Sequence, residues 1–146
     1  MRSAWLEKLL CALSGALMLA VSAFVAFRWR TLPEQLPTHY NAAGVADSFG
    51  GRGSLLVLLA VAWASVLLMV PLLLIPGLWE KAQGSQRGIR ATRGMTAWLT
   101  LVLSLMFGYI ILCTAQCRAL GVWFLPVTMV LIFGIIIVGS IMAARK

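Results

Sequence analysis

The one histidine of the 146-residue chain, His39, lies in a stretch that also carries Glu34 and Asp47, two of its four acidic residues. A carboxylate that accepts a hydrogen bond from histidine Nδ1 leaves Nε2 free to act as a base or a metal ligand. His39 and Asp47 are therefore the candidate ligands for a divalent metal, with Glu34 as a further oxygen donor. One histidine with scattered oxygens is nevertheless a poor zinc site, and no nucleophile triad for a hydrolase is evident. We expect no cofactor and no catalytic residue, and keep a metal at His39 and Asp47 as the alternative.

The loop over residues 28–53 holds this cluster, and its composition predicts an ordered segment. Its two prolines fix φ and favour extended backbone, whereas Asn41 and Gly44 favour a turn. In the alternative to a ligand site, His39 and Asp47 bond each other and the loop backbone, and so close an Asx-type turn over the helix ends. Both interpretations, ligand binding and loop structuring, concern the same residues: Pro33, Pro37, His39, Tyr40, Asn41, Gly44, Asp47 and Gly50.

Three cysteines raise the possibility of thiol redox chemistry, which quinone-linked thiol oxidoreductases, a class of four-helix membrane proteins, carry out. Those enzymes rely on a Cys-x-x-Cys pair, whereas Cys113 and Cys117 stand four residues apart and Cys11 is distant in the chain. We therefore expect buried thiols without a redox role.

Long uncharged runs predict the elements that must position these residues. Hydrophobic residues make up 62% of the chain and charged residues 11%, which excludes a water-soluble enzyme of the common classes. The charged residues leave uncharged runs of 19, 27, 24 and 26 residues, and a helix needs about 20 apolar residues to cross the hydrocarbon core. We predict an all-α polytopic integral membrane protein: a single domain over residues 1–146, with a four-transmembrane-helix bundle at about 9–27, 54–75, 95–117 and 122–144.

The distribution of basic residues predicts the orientation of these helices. Eight lysines and arginines flank the N-terminus, the basic loop 79–94 and the C-terminus, against four in the two opposite connections. Both termini are therefore predicted to be cytoplasmic, and the motif loop 28–53 to lie outside. The first helix also has features of a signal peptide, but its apolar run exceeds the usual 7 to 15 residues. The net charge of +8 suits a membrane surface, and no RNA-binding pattern accompanies it, so nucleic acid is not an expected partner.

No acidic, basic or histidine side chain falls inside the four predicted helices. Ion-coupled transporters usually keep an acidic residue there, so a small transporter is a less favoured alternative. Helix contacts are expected at small residues, and a homo-oligomer could form through such a stripe. The predicted stripes are Ala12, Ala16 and Ala20; Ala60 and Ala64; Ser104 and Gly108; and Gly139 and Ala143.

The motif loop carries a family resemblance. From Leu32 it contains the string Leu-Pro-x3-Pro-x-His-Tyr-Asn-x2-Gly-x2-Asp-x2-Gly, placed between two apolar runs. This string resembles the signature of a family of small bacterial membrane proteins that includes the N-terminal domain of the immunity protein against the sporulation-delay toxin. The resemblance covers residues 32–50, and the immunity proteins have further helices after the shared domain. It implies a protein of the bacterial inner (cytoplasmic) membrane that either protects the cell from a membrane-active peptide or is a relative with another task in the cell envelope.

The sequence therefore favours a non-enzymatic, immunity-like envelope protein whose outer loop receives or blocks a ligand. The expected partners are the lipid bilayer and either a membrane-active peptide or a partner membrane protein. Two alternatives stay open: a membrane-embedded metal-dependent enzyme using His39 and Asp47 at the outer face, and a small transporter.

Overall fold

Four long helices dominate the computed structural model, which describes residues 2–74 and 85–144. They are α1 (Arg2–Arg28), α2 (Gly53–Leu74), α3 (Gln86–Ala115) and α4 (Phe124–Ala144). Each is long and apolar enough to cross a membrane. The predicted all-α, four-helix membrane fold is confirmed.

Helix α3 is the centre of the bundle and packs against α1, α2 and α4, whereas α1 and α2 contact each other much less. The main core lies between α1, α2 and α3, and α4 buries little of its surface. The core also contains a polar contact, in which the indole Nε1 of Trp63 donates a hydrogen bond to the hydroxyl of Ser22 at 2.9 Å. The buried core side chains are Met18, Val21, Val25, Leu32, Leu36, Leu55, Ala62, Val66, Ile111 and Ala115.

Small residues form only some of the predicted helix contacts. Ser104 and Gly108 are buried, with α1 side chains beside Gly108, and Gly139 is buried against Met95. In contrast, the alanine stripes of α1 and α2 are exposed, so that prediction is wrong. These helices turn larger side chains such as Met18 inward, because larger side chains gain more dispersion contacts than alanine.

Helix α3 begins earlier than predicted, since residues 86–94 of the predicted basic loop are helical. Its N-cap is Ser85, whose side chain accepts a hydrogen bond from the backbone N–H of Gly88 at 3.1 Å. Such a cap satisfies a backbone donor that the helix itself cannot. The rest of the predicted loop, 79–84, lies outside the described residues. Helix α1 likewise begins at Arg2 rather than near residue 9.

The longer α1 and α3 also contain a charged pair, which lies just outside the predicted spans. The Arg93 guanidinium contacts the Glu7 carboxylate at 2.9 Å and donates to the backbone carbonyl of Leu73 at 3.1 Å. The Glu7 side chain is 7% exposed and that of Arg93 25%. Arg93 of α3 thus ties together α1 and the end of α2.

The C-terminal end of α3 forms a Schellman motif. The N–H of Arg118 donates to the carbonyl of Cys113, and the N–H of Cys117 donates to that of Thr114. Cys117 therefore occupies the left-handed position at which glycine is usual, with φ +51°. This position lies beyond the helix and leaves the Cys117 thiol exposed, whereas Cys11 and Cys113 are buried. The expectation of buried thiols is thus wrong for Cys117.

Replacing Cys117 with glycine is expected to raise the free energy of unfolding by about 0.5 to 1 kcal/mol, because glycine adopts positive φ without a Cβ clash. Thermal unfolding in detergent measures the effect. Cys117→Ala is the matched control, since it removes the thiol but keeps the Cβ. Equal stabilisation by alanine and glycine would show that the thiol, and not the backbone, is responsible.

Candidate functional site

The motif loop folds as a β-hairpin at the end of the bundle where α1 ends and α2 begins. Strand β1 (Gln35–Tyr40) pairs antiparallel with β2 (Ala46–Gly51). Leu36 of β1 is fully buried and belongs to the main core. The guanidinium Nε of Arg52 donates to the carbonyl of Pro33 at 3.1 Å and closes the base of the hairpin. The predicted order of the loop therefore comes from paired strands that the sequence analysis did not predict.

Asn41 and Gly44 shape the turn of the hairpin. The side-chain Oδ1 of Asn41 accepts hydrogen bonds from the N–H groups of Ala43 and Val45, each at 3.0 Å. The Asx-type turn is thus made by Asn41 rather than by the His39 and Asp47 of the loop-structuring alternative. Gly44 has φ +73°, a conformation that side chains disfavour.

The turn also docks on the connection between α3 and α4. The carbonyl of Gly44 accepts a hydrogen bond from the N–H of Leu120 at 2.8 Å. A Cβ added at Gly44 would stand 2.6 Å from the carbonyl oxygen of Gly121. Only glycine therefore fits between the turn and this connection.

Tyr40 forms a further bond between the hairpin and α3. Its hydroxyl and that of the buried Thr114 share a hydrogen bond of 3.2 Å. Burial raises the pKa of the Tyr40 phenol above its ordinary value. The phenol is therefore neutral at physiological pH. In this state it can hydrogen-bond to Thr114 or to a ligand, but it cannot act as a base.

His39 and Asp47 meet on the exposed side of the hairpin. The ring Nδ1 of His39 donates to the Asp47 carboxylate at 2.6 Å, and the two side chains are 68% and 44% exposed. The strand register shifts on both sides of His39, so that Ser48 pairs with His39 and Ala46 with Tyr40. These bulges bring Asp47 beside the imidazole, as bulges commonly re-aim side chains.

A metal site would need more ligands than this pair supplies. In the part of the chain that the structure describes, no group of three or more His, Cys, Asp or Glu side chains could hold a metal ion. Glu34, the further oxygen donor of the sequence analysis, thus does not join His39 and Asp47. Their carboxylate–imidazole contact orients the ring through Nδ1. In the neutral tautomer with its proton on Nδ1, Nε2 is a hydrogen-bond acceptor.

A cleft beneath the hairpin is a feature that the sequence analysis did not predict. It has a volume of about 630 Å³ and lies between α2 and α4, with α3 as its floor and β1 as its roof. We call it the outer cleft. The residues that line it are Pro37, Thr38, His39, Tyr40, Asn41, Gly44, Ser54, Val57, Leu58, Val61, Met106, Ile110, Thr114, Leu120, Gly121, Phe124, Leu125, Thr128 and Met129.

The outer cleft has a polar end and apolar walls. Hydroxyl, phenol and imidazole groups stand near the hairpin, whereas valine, leucine, isoleucine and methionine line the deeper part. From Ser54 to Val61 along α2, and from Thr114 to Met106 along α3, the cleft descends about 12 Å at ~1.5 Å per residue. This length is close to half of the ~30 Å thickness of a bilayer's hydrocarbon core.

Five of the eight predicted site residues line the outer cleft, namely Pro37, His39, Tyr40, Asn41 and Gly44. Asp47 reaches it only through His39. Gly50 instead lies opposite Leu36 in the hairpin, where a Cβ would meet the Thr38 methyl at 2.8 Å. Pro33 closes the hairpin base.

Replacing His39 or Asp47 with alanine is expected to lower the free energy of unfolding by less than about 1 kcal/mol, because a solvent-exposed hydrogen bond to a carboxylate contributes little. Thermal unfolding of the detergent-purified protein, with and without Zn²⁺, measures this. Glu34→Ala is the matched control in the same loop. If both variants lost 2 kcal/mol or more of unfolding free energy, about the cost of a buried hydrogen bond, the pair would have a structural role in holding the loop together. Stabilisation of only the wild type by Zn²⁺ would support a metal site.

Part of the chain is similar to a known protein family. The model of a family described as a domain of unknown function (DUF1648) matches residues 16–75. No curated protein and no solved structure matches the chain. The matched range includes the C-terminal half of α1, the hairpin and α2, and so both the roof and one wall of the outer cleft. Over this range the chain is similar to a family with no assigned function. The four long apolar helices make the chain a multi-pass membrane protein.

Proposed function

We propose that the protein is a non-enzymatic, immunity-like protein of the bacterial inner membrane, which binds a membrane-active peptide in the outer cleft and thereby protects the cell. The single observation that carries this proposal is the outer cleft itself, an amphipathic opening roofed by the motif hairpin. The resemblance of the string at residues 32–50 to immunity proteins supports the same function.

The chemistry of the outer cleft suits a peptide that enters from the membrane. Its volume of about 630 Å³ falls within the range of ligand pockets. Several wall side chains are open at the surface, including Val57 at 65% and Val61 at 48%. An amphipathic helix can place its apolar face in such a groove, while its polar groups meet His39 and Tyr40.

The proposed orientation places the outer cleft where an external peptide arrives. The excess of lysine and arginine at the termini and at the start of α3 supports cytoplasmic termini. The hairpin, which lies at the opposite end of the bundle, would then face the outside. A peptide inserting into the outer leaflet reaches the cleft before it can cross the membrane.

Neither alternative function gains support of its own. For the metal-dependent enzyme, the described residues offer only the His39 and Asp47 pair as ligands. For the transporter, the charged groups inside the bundle, Glu7 and Arg93, already contact each other at one end of it. The outer cleft is the feature best matched to a binding function.

Survival of cells that carry or lack the protein tests the proposal, with a panel of membrane-active peptides applied at increasing dose. We expect carriers to survive about tenfold more of at least one peptide, equivalent to ~1.4 kcal/mol of binding free energy. A vector expressing an unrelated four-helix membrane protein controls for membrane load. Equal sensitivity to every peptide would contradict the proposal.

A further inference from the structure

A second groove lies between α3 and α4 on the half of the bundle away from the hairpin. It has a volume of about 520 Å³ and is separate from the outer cleft, with which it shares no residue. We call it the inner groove. The residues that line it are Arg90, Ala91, Gly94, Met95, Trp98, Val130, Leu131, Gly134, Ile135, Val138, Gly139 and Met142.

Two glycines leave the inner groove open. A Cβ added at Gly94 of α3 or at Gly134 of α4 would meet no atom within 4 Å. At Gly139, by contrast, the side chain of Met95 fills the space, with its sulfur 2.6 Å from an added Cβ. The two helices therefore touch at Gly139, and next to this contact they leave an apolar channel.

One cation stands at the end of this channel. Arg90 is exposed and has no hydrogen-bond or ion-pair partner among the residues that the structure describes. Arg93, one turn further along α3, contacts Glu7 and the Leu73 carbonyl instead. Arg90 is thus the guanidinium available to an anion at the mouth of the inner groove.

The length of the inner groove matches one leaflet of a bilayer. From Met142 to Val130 along α4 it extends about 18 Å at ~1.5 Å per residue, against about 15 Å for half of the hydrocarbon core. Trp98 lies along it and is 45% exposed, and indole rings favour the boundary between headgroups and acyl chains. Arg90 lies 25 residues before the end of α3 at Ala115, which is beyond the about 20 residues that cross the hydrocarbon core and so at headgroup depth.

We propose that the inner groove binds one phospholipid with a net negative headgroup, whose phosphate contacts Arg90 and whose acyl chain occupies the channel beside Gly94 and Gly134. Guanidinium groups bind phosphate through paired, charge-assisted hydrogen bonds. The apolar lining accepts the acyl chain. This site is independent of the outer cleft and of the function proposed for it.

Lipid-dependent thermal unfolding in detergent tests this site, with phosphatidylglycerol compared with phosphatidylcholine of the same acyl chains. We expect phosphatidylglycerol to raise the unfolding temperature of the wild type by at least about 3 °C more than phosphatidylcholine, because a ligand stabilises the state that binds it. Arg90→Gln should abolish this difference. Arg87→Gln is the matched control, since Arg87 is exposed near the same helix end but does not line the groove, and it should retain the difference.

A second pair of variants tests the acyl-chain channel. Gly134→Phe fills the open channel and should also abolish the preference for phosphatidylglycerol. Ile137→Phe, on an exposed part of α4 outside the groove, should not. Equal stabilisation of the wild type by both lipids would overturn the proposal. If Arg87→Gln and Arg90→Gln lost the preference for phosphatidylglycerol equally, the attraction would be one of diffuse charge and the proposal would be wrong. If Gly134→Phe retained the preference, the acyl chain would not occupy the channel, and the proposal would be wrong as well.

Discussion

Replacing Glu7 with alanine is expected to lower the free energy of unfolding by about 3 kcal/mol. The carboxylate is 7% exposed and lies 2.9 Å from the Arg93 guanidinium. Removing one partner of a buried ion pair costs about 3 to 5 kcal/mol because the other charge stays in place. We take the lower value, since the Arg93 side chain is 25% exposed and solvent screens part of the interaction. Equilibrium unfolding in mixed detergent measures the change.

Lys8→Ala is the matched control for this prediction, because Lys8 is an exposed neighbour on the same helix. We expect it to change stability by about 0.5 kcal/mol or less. The double variant Glu7→Ala/Arg93→Ala should lose less than the sum of the single variants, since contacting residues couple. Strict additivity would show that the two side chains do not stabilise one another.

Replacing Gly44 with alanine is expected to cost about 3 kcal/mol and to detach the hairpin turn from the α3–α4 connection. The positive φ of Gly44 costs a residue with a Cβ about 1 to 2 kcal/mol. The clash with the Gly121 carbonyl oxygen at 2.6 Å must also be relieved, which breaks the hydrogen bond to Leu120 at about 1 kcal/mol. Thermal unfolding and protease sensitivity of the hairpin measure the two effects.

Two further substitutions separate the effect of the positive φ from the effect of the clash with Gly121. Gly51→Ala, at the other end of the hairpin, places its Cβ where no atom lies within 4 Å and should be nearly neutral. Gly44→Asn tolerates positive φ but keeps the clash, so it should still destabilise the protein. If Gly44→Ala unfolds like Gly51→Ala, the turn does not dock on the α3–α4 connection.

The four helices were predictable because each is encoded by one continuous uncharged stretch of the sequence. Hydrocarbon excludes charges, so uncharged runs of about 20 residues identify spanning helices in a single sequence. The helix ends were less accurate, since a helix continues past the hydrocarbon core wherever its backbone is capped. Ser85 provides such a cap for α3, and the basic residues after it are good helix formers.

The hairpin was not predicted because its strands lack a strand pattern. Their sequences, QLPTHY and ADSFGG, contain proline, glycine and aspartate, which strands disfavour. Tertiary contacts outweigh these preferences, as Leu36 is buried in the core and Tyr40 contacts Thr114. The turn residues Asn41 and Gly44, in contrast, were recognisable from residue type alone.

The outer cleft and the Glu7–Arg93 pair depend on contacts between distant parts of the chain. Glu7 and Arg93 are 86 residues apart, and one sequence carries no signal for such a pairing. The outer cleft exists because α2 and α4 pack on α3 without extensive contact between them. Helix order alone does not specify that arrangement.

Filling the outer cleft tests the central claim, that this cleft is the site of protection, most directly. Val61→Trp places a large side chain in the cleft, whereas Leu68→Trp places it on an exposed part of α2 outside the cleft. In cells exposed to a peptide against which the wild type protects, we predict that Val61→Trp loses about tenfold in tolerated dose while Leu68→Trp keeps it, with similar unfolding temperatures for both. Full protection by Val61→Trp, or an equal loss in both variants, would contradict the account.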